Sequence, residues 1–514
     1  MSIKRYVLGN PDVKTAKAIS DIMILFNITE DKSLNIEIVK NSELPEEVVL
    51  VNNKIVNEQQ QLIVSTELIV QHYRGSISRL EKVSSNVPDE ESLVSAYKRL
   101  TKLNLLTAMR EITGYDPGPW GILRGIRPTK IVHRLLDQGM SQEVINKVMA
   151  SKYAVSRLKA KIVTDIALRQ RPFLVQKDES QRTISVYVGI PFCPSRCLYC
   201  SFPAYILPDG ESIHAFLLAL EKDIKAAKEI INSHNLIVQN VYIGGGTPTS
   251  LDEQHFKWLL SIVSDNFVTN STKEFTVEAG RPDSISKEKI DTMREYRVSR
   301  VSVNPQSMQQ KTLNLIGRNH TVKDIIDIFG KIRQSGIPVI NMDVIVGLPG
   351  ENEQDFAETM AQIALLNPDN LTVHTLAVKK GSILKTAAKS GTKLNAAGDK
   401  IQDMIDIADQ YARQMDMQPY YLYRQKHMMG NLENIGYAKL GTECNYNIQI
   451  MEERQSVIGI GPAAGTKAIN TSDWTLESCY NAKDLSSYIN NVDRYISIRA
   501  KLFTDLFARS EEEY

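Results

Sequence analysis

Residues Ile190–Tyr205 read IPFCPSRCLYCSFPAY, and this stretch holds three of the chain's five cysteines. They stand at Cys193, Cys197 and Cys200, a C-x3-C-x2-C spacing. The residues before them, ISVYVGI, have the apolar, β-branched character of a buried strand. Three thiolates on one tight loop can each bind a different iron of a [4Fe–4S] cubane, leaving the fourth iron without a protein ligand. That iron can chelate the amino and carboxylate groups of S-adenosylmethionine, bring its sulfonium beside the cluster, and permit one-electron cleavage to a 5′-deoxyadenosyl radical. Structural zinc wants four ligands, usually as paired CxxC elements. Cys444 and Cys479 are far off in sequence and unpaired, and no His lies near the loop, so these two read as plain thiols.

Downstream, strand and helix patterns alternate. SIHAFLLALEKDIKAA places Ile213, Phe216, Leu217, Leu220 and Ile224 on one helical face. The strand-like runs are LIVQNVYIGGG, EFTVEAG, RVSVNPQS, VINMDVIVGLPG and NLTVHTLAV, with helical segments between them. Six strand–helix alternations predict a parallel sheet. Six units do not complete an eight-fold barrel, so the expected fold is α/β, an incomplete (β/α)6 TIM-like barrel. Its chemistry should collect at the carboxyl ends of the strands.

The flanks are mixed. LNIEIVK, EEVVLVNNKIV and QLIVSTELIV read as short strands, and a helical pattern runs from Pro88 to about Arg171. PWGILRGIRPTKIVHRLL, from Pro119, suggests a helix start at Pro128. After the barrel come a helix, IQDMIDIADQYARQM, a strand-like PYYLYRQ, and the Gly-rich VIGIGPAAGTK. The expected division is an N-terminal α+β domain over 1–175, the barrel over 176–394, and a substrate-covering C-terminal α+β region over 395–514.

The chain has 61 Lys plus Arg against 60 Asp plus Glu, a net +1 that gives no bulk drive toward nucleic acid or anionic membrane. No stretch approaches the roughly 20 uncharged apolar residues of a membrane span. MSIKRYVLGNPDV lacks the apolar core of a secretory signal, and the expected location is cytoplasmic.

Further candidates sit at strand ends. GGGTPTSL, Gly244 to Leu251, lets backbone approach a ligand closely and offers N–H groups to a carboxylate. Glu278 ends the third strand, Gln306 ends the fourth, and Asp343 lies in the fifth. A carboxylate there can pair with an ammonium or accept from ribose hydroxyls; an amide can do the latter. Arg318, in LIGRNH, follows the fourth strand.

Taken in order, IPFC…C..C, GGGTP, VEAGRPD, RVSVNPQS, LIGRNH and MDVIVGLPGE resemble the oxygen-independent coproporphyrinogen III oxidases (dehydrogenases) of the radical S-adenosylmethionine family. PWGILRGIRPTK and YYLYRQKHMMGNLENIGYA look like that group's longer, HemZ-type branch. The resemblance implies that Cys193, Cys197 and Cys200 ligate the cluster and generate the radical. It implies that Tyr187, Gly245 and Glu278 touch the cluster-bound S-adenosylmethionine. Tyr199, Gly246, Thr247, Gln306, Arg318, Asp343 and Ala377 would touch a second molecule of it. Where shorter-branch oxidases carry a further Cys two positions after the third ligand, this chain has Phe202, and the related haem-chaperone branch also has an aromatic residue there.

The implied reaction is oxidative decarboxylation of coproporphyrinogen III to protoporphyrinogen IX in haem synthesis. The radical takes a hydrogen from a propionate β-carbon; loss of CO2 and one electron leaves a vinyl group, and two propionates react. Electrons for radical generation would come from a reductant protein such as a flavodoxin or ferredoxin. Four propionates need cations, for which Arg124, Arg127, Lys130, Arg424, Lys426 and Lys467 are candidates. A haem-binding chaperone on the same barrel is the alternative, favoured by Phe202 and disfavoured by the long flanks. A radical enzyme acting on RNA is disfavoured by the near-neutral charge and the lack of a second cysteine cluster.

Overall fold

The computed structural model describes residues 3–9, 13–33, 44–58, 61–71, 73–82, 91–378, 382–384, 398–425 and 428–512. The expected strand LNIEIVK, at 34–40, and Lys426 lie outside them. The chain forms two compact units, one of residues 1–167 with 424–426 and 430–432, the other of the remainder.

The first unit holds a five-stranded sheet in the order Thr29–Glu30, Arg5–Leu8, Val48–Glu58, Gln61–Val70, Tyr73–Lys82. Gln61–Val70 buries every second residue, the period-2 pattern of a sheet with one covered face. Leu62 and Val64 pack on Ala96, Tyr97 and Leu100 of the helix Leu93–Thr113. Helices Pro128–Asp137 and Gln142–Tyr153 follow, the first with proline at its start, where its missing N–H costs nothing.

The second unit carries the expected parallel strands: β1 Thr183–Ile190, β2 Ile237–Gly245, β3 Glu274–Glu278, β4 Arg300–Ser302, β5 Val339–Val346 and β6 Asn370–Thr375. Each pairs in parallel with its successor. Five of the helices between them begin on side-chain caps: Asp209, Asp252, Ser286, Thr321 and Asn352 each accept from a backbone N–H in the first turn. Such a cap stabilises a helix by about 1 kcal/mol. The β4 strand is shorter than RVSVNPQS suggests. Pro305 has no N–H to give a ladder, and the chain rejoins β5 only through a bridge between Gln306 and Val344.

The sheet extends past the six strands on both sides. Beyond β6 lie β7 Gln418–Tyr423 and β8 Asn434–Ala438, with β8 antiparallel to both β6 and β7. Beside β1, β9 Ser456–Ile460 runs parallel, followed by antiparallel β10 Gly465–Ile469 and β11 Leu476–Tyr480. The result is an eleven-stranded sheet from β7 to β11, whose centre is the incomplete (β/α)6 barrel.

Behind β9, the C-terminal helix Val492–Glu512 delivers Arg499 to Asp223, both almost wholly buried. Arg499 also donates to Gly459 O, while Tyr488 OH and Gly461 N–H donate to Asp223. Both Asp223 oxygens and both terminal nitrogens of Arg499 thus have partners that offset their desolvation, while the buried Arg499 Nε has none among the described residues.

Candidate functional site

The three cysteines follow β1 on a loop tied down at several points. Phe192–Cys193 pairs with Tyr205–Ile206 across the base of the loop. Leu198 N–H donates to Ile316 O and Leu198 O accepts from Leu384 N–H, both at 3.0 Å. Ser195 Oγ donates to Gly317 O at 3.0 Å. Cys197 is buried; Cys193 and Cys200 are partly exposed. Burial pushes the Cys193 and Cys200 thiols up from their ordinary range. Among the described residues no three His, Cys, Asp or Glu side chains gather about one point for a single metal ion. A cubane asks instead for one thiolate per iron, which suits a loop that spreads its sulfurs.

The glycines after β2 are explained by close approach. Gly246 N–H donates to Ile190 O and Thr247 N–H to Phe192 O, both at 2.7 Å. Gly245 has φ +113°, and a Cβ there would stand 2.7 Å from Ile190 O. A Cβ on Gly246 would meet Phe192 O at 2.4 Å and Cys193 Sγ at 3.0 Å. The expectation that these N–H groups meet a ligand carboxylate is corrected here: those of Gly245, Gly246 and Thr247 bond within the protein. What the glycines supply is a cradle with no side chain in it, against the Cys193 sulfur. Thr247 Oγ1 lies 3.5 Å from that sulfur.

On the inner face of the sheet, half-buried side chains line up between buried neighbours. Tyr187 on β1 stands level with Tyr242 on β2, and their rings stack at 6.1 Å. Tyr446 stacks on Tyr242 at 4.5 Å. Tyr242 OH donates to Glu278 Oε1 at 2.5 Å, and Gly245 N–H to Glu278 Oε2 at 3.2 Å. Burial pushes the Glu278 carboxyl up to about 7; those two hydrogen bonds work against it and the charge of Asp343 adds to it. Asn341 donates to Asp343 Oδ1 at 2.8 Å, His374 Nε2 lies 3.6 Å from Asp343 Oδ2, and Tyr423 OH is 3.3 Å from His374 Nδ1.

A second group forms by the cysteine loop. Arg318 is buried; its Nη1 donates to Gly280 O and Asn304 O and its Nη2 to Tyr199 OH at 3.2 Å. Its Nε–H has no partner among the described residues. Gln306 adopts φ +68°, rare for a residue with a Cβ. Its N–H donates to Asp343 O at 2.9 Å, and its buried Oε1 has no hydrogen-bond partner among the described residues. An orphaned buried acceptor at a strand end points to a ligand that donates to it. Ala377 pairs with Met428 in an isolated bridge. Of the expected residues, the structure thus joins Cys193 with Gly246 and Thr247, Glu278 with Gly245, Tyr199 with Arg318, and Gln306 with Asp343.

Sequence reasoning passed over Arg281. It is 3% exposed, and its Nη1 donates to Cys197 Sγ at 3.0 Å while its Nη2 donates to Ser195 Oγ. Its Nε lies 3.4 Å from Asp283, which in turn lies 3.4 Å from His320. Burial alone would raise the Asp283 carboxyl, but His320 and Arg281 outweigh it and hold the group low. The signal was present, since VEAGRPD and LIGRNH contain all three residues.

Three of the cations expected for propionates are engaged within the protein. Within the first unit Arg424 donates to Leu123 O and Asn431 O and lies over the Trp120 ring at 4.9 Å, and Arg124 pairs with Asp21 at 3.3 Å. Arg127 stands at the N-cap position of the helix that contains Lys130, with no capping hydrogen bond from its side chain. Lys467 pairs with Glu453 at 3.3 Å. Cys444 donates to Glu274, and Cys479 lies in β11.

The model of the radical SAM superfamily matches residues 187–363. The oxygen-independent coproporphyrinogen-III oxidase-like protein HemZ of Bacillus subtilis (strain 168) is 38% identical over 416 residues, 80% of this chain and 81% of that one. This chain belongs to the radical SAM superfamily, in the HemZ-type branch. The family's cofactors are a [4Fe–4S] cluster and S-adenosylmethionine. Heme chaperone HemW of Bacillus subtilis is 28% identical, covering 56% of this chain and 73% of its own. The oxygen-independent coproporphyrinogen III oxidase of Escherichia coli (strain K12) is 26% identical, covering 61% and 66%. The solved structure of coproporphyrinogen III oxidase (HemN) from Escherichia coli shares the fold, with TM-score 0.51 and 22% identity over 64% of this chain and 72% of that one. No described helix is long and apolar enough to cross a membrane.

Proposed function

We propose that the chain carries out oxygen-independent oxidative decarboxylation of coproporphyrinogen III to protoporphyrinogen IX. The electrons that generate the radical would come from a reductant protein such as a flavodoxin or ferredoxin, and the one electron released at each decarboxylation would pass to a one-electron acceptor. Cys193, Cys197 and Cys200 would hold the cluster. Bound there, the cluster and S-adenosylmethionine supply a hydrogen-abstracting carbon radical. Glu278 would take the ammonium of the cluster-bound cofactor, with Tyr187 and Gly245 beside it. The observation that carries the oxidase reading is the second group, Arg318 with Tyr199 and Gln306 with Asp343. Arg318 keeps Nε–H and one Nη2 proton, a bidentate edge for a carboxylate. With Gln306 Oε1 open, this supports a second S-adenosylmethionine, contacted also by Gly246, Thr247 and Ala377.

Haem delivery by the same barrel is the second reading, favoured by Phe202 and by the HemW-type relatives. The two part under anaerobic titration of reconstituted protein. Two S-adenosylmethionine equivalents per chain and weak haem binding support the oxidase. One equivalent with stoichiometric haem binding supports the chaperone.

A further inference from the structure

A cation on the segment after β3 reaches the cysteine loop, and the cluster-ligand reading does not use it. Arg281 is buried between Cys197 and Asp283, and one arm of its guanidinium ends on the Cys197 sulfur at 3.0 Å. The other arm ends on Ser195, which itself holds Gly317. Asp283 takes the Nε side, and His320, fully buried, stands behind Asp283 at 3.4 Å. A guanidinium has five donors in a fixed plane, so these contacts on three sides fix both its position and its direction.

We propose that Arg281 is a positioning residue for the cluster: it aligns the Cys197 thiolate and makes the cluster easier to reduce. This rests on the cluster sitting at the three cysteines. Reduction adds one negative charge to an enclosed group. A fixed cation donating to a ligand sulfur stabilises the reduced state more than the oxidised one, and such hydrogen bonds are among the levers that set a cluster's potential. Burial keeps water from screening the effect. Asp283 and His320 act through Arg281, holding it against the sulfur, which accounts for polar residues of VEAGRPD and LIGRNH that touch no ligand sulfur themselves.

The test is an EPR-monitored reductive titration of anaerobically reconstituted full-length protein, with iron, sulfide and far-UV circular dichroism measured on the same samples. Arg281→Met keeps the bulk and removes the charge; Arg281→Lys keeps the charge and removes the fork. Arg281→Met is expected to hold its cluster with the one-electron reduction equilibrium weakened about tenfold, about 59 mV more negative. Arg281→Lys should fall between it and the native protein. Loss of the cluster from Arg281→Met but not from Arg281→Lys also supports the proposal, since only the charge separates the two. A native potential in Arg281→Met overturns it. So does equal loss of cluster, or of fold, in both variants, which would make the residue structural. Absence of a cluster from the native protein would instead remove the cysteine assignment itself.

Discussion

Tyr242 donates its hydroxyl proton to Glu278 at 2.5 Å, and this short contact is set by the β2–β3 register, which places the two residues on the same face of adjacent strands. It leaves Glu278 enclosed yet facing the interior, with its carboxyl up at about 7 against an ordinary 4.5. A carboxyl raised in the fold favours folding below about 4.5 and withdraws that stability as pH rises through about 7. Without cofactor, native protein should therefore lose thermal stability relative to Glu278→Gln between pH 5 and 8. S-adenosylmethionine binding should strengthen over the same window, because an ionised carboxylate pairs with its ammonium. Parallel pH profiles for the two proteins, in melting and in binding, would contradict the role.

Gly246→Ala should leave the circular dichroism spectrum native and lower iron content severalfold. The added methyl meets Phe192 O and the Cys193 sulfur, neither of which can retreat without moving the loop. Gly244→Ala, whose methyl would meet the Glu278 and Tyr242 side chains, should spare the iron and weaken cofactor binding. Equal iron in native and Gly246→Ala protein would contradict the cradle.

The six-strand core was legible because each strand is an apolar run followed by a capped, amphipathic helix, and the cysteine loop because its spacing is local. Other features are relations between distant segments. Nothing in VIGIGPAAGTK signals that β9 lies beside β1, about 270 residues earlier, since pairing depends on register and not on either sequence alone. Arg281 reads as an ordinary loop cation until the fold sets it against Cys197. GGGTP reads as a close approach to a ligand; what Gly245 and Gly246 approach in the fold is the protein's own backbone at Ile190 and Phe192.

Cys193→Ala, Cys197→Ala and Cys200→Ala should each lose the cluster and S-adenosylmethionine cleavage, since each removes one iron's thiolate. Cys479→Ala should do neither. Iron analysis and 5′-deoxyadenosine formation read both. Native iron and cleavage in any of the three loop variants would remove the assignment.

Arg318→Ala should keep the cluster and one S-adenosylmethionine while weakening a second by roughly 30- to 1000-fold, on the order of 2–4 kcal/mol for losing a buried charged partner. Equilibrium binding under anaerobic conditions measures it. Loss of the first equivalent along with the second would mean that Arg318 supports the loop alone.

Arg499→Ala should cost about 3–5 kcal/mol, because it strands the fully buried Asp223 without its counter-charge. Chemical denaturation gives the number. Asp223→Asn with Arg499→Met together should cost less than the sum of the two changes alone, as coupled partners do. Additive losses would mean that the pair carries no coupling.

The most direct measurement is single-vessel turnover: anaerobic reconstituted protein with coproporphyrinogen III, S-adenosylmethionine and a low-potential reductant, read by product mass and released CO2. The account predicts two CO2 per porphyrinogen, stepwise formation of two vinyl groups, and 5′-deoxyadenosine in proportion. Cofactor cleavage with unchanged porphyrinogen and no CO2 would contradict it.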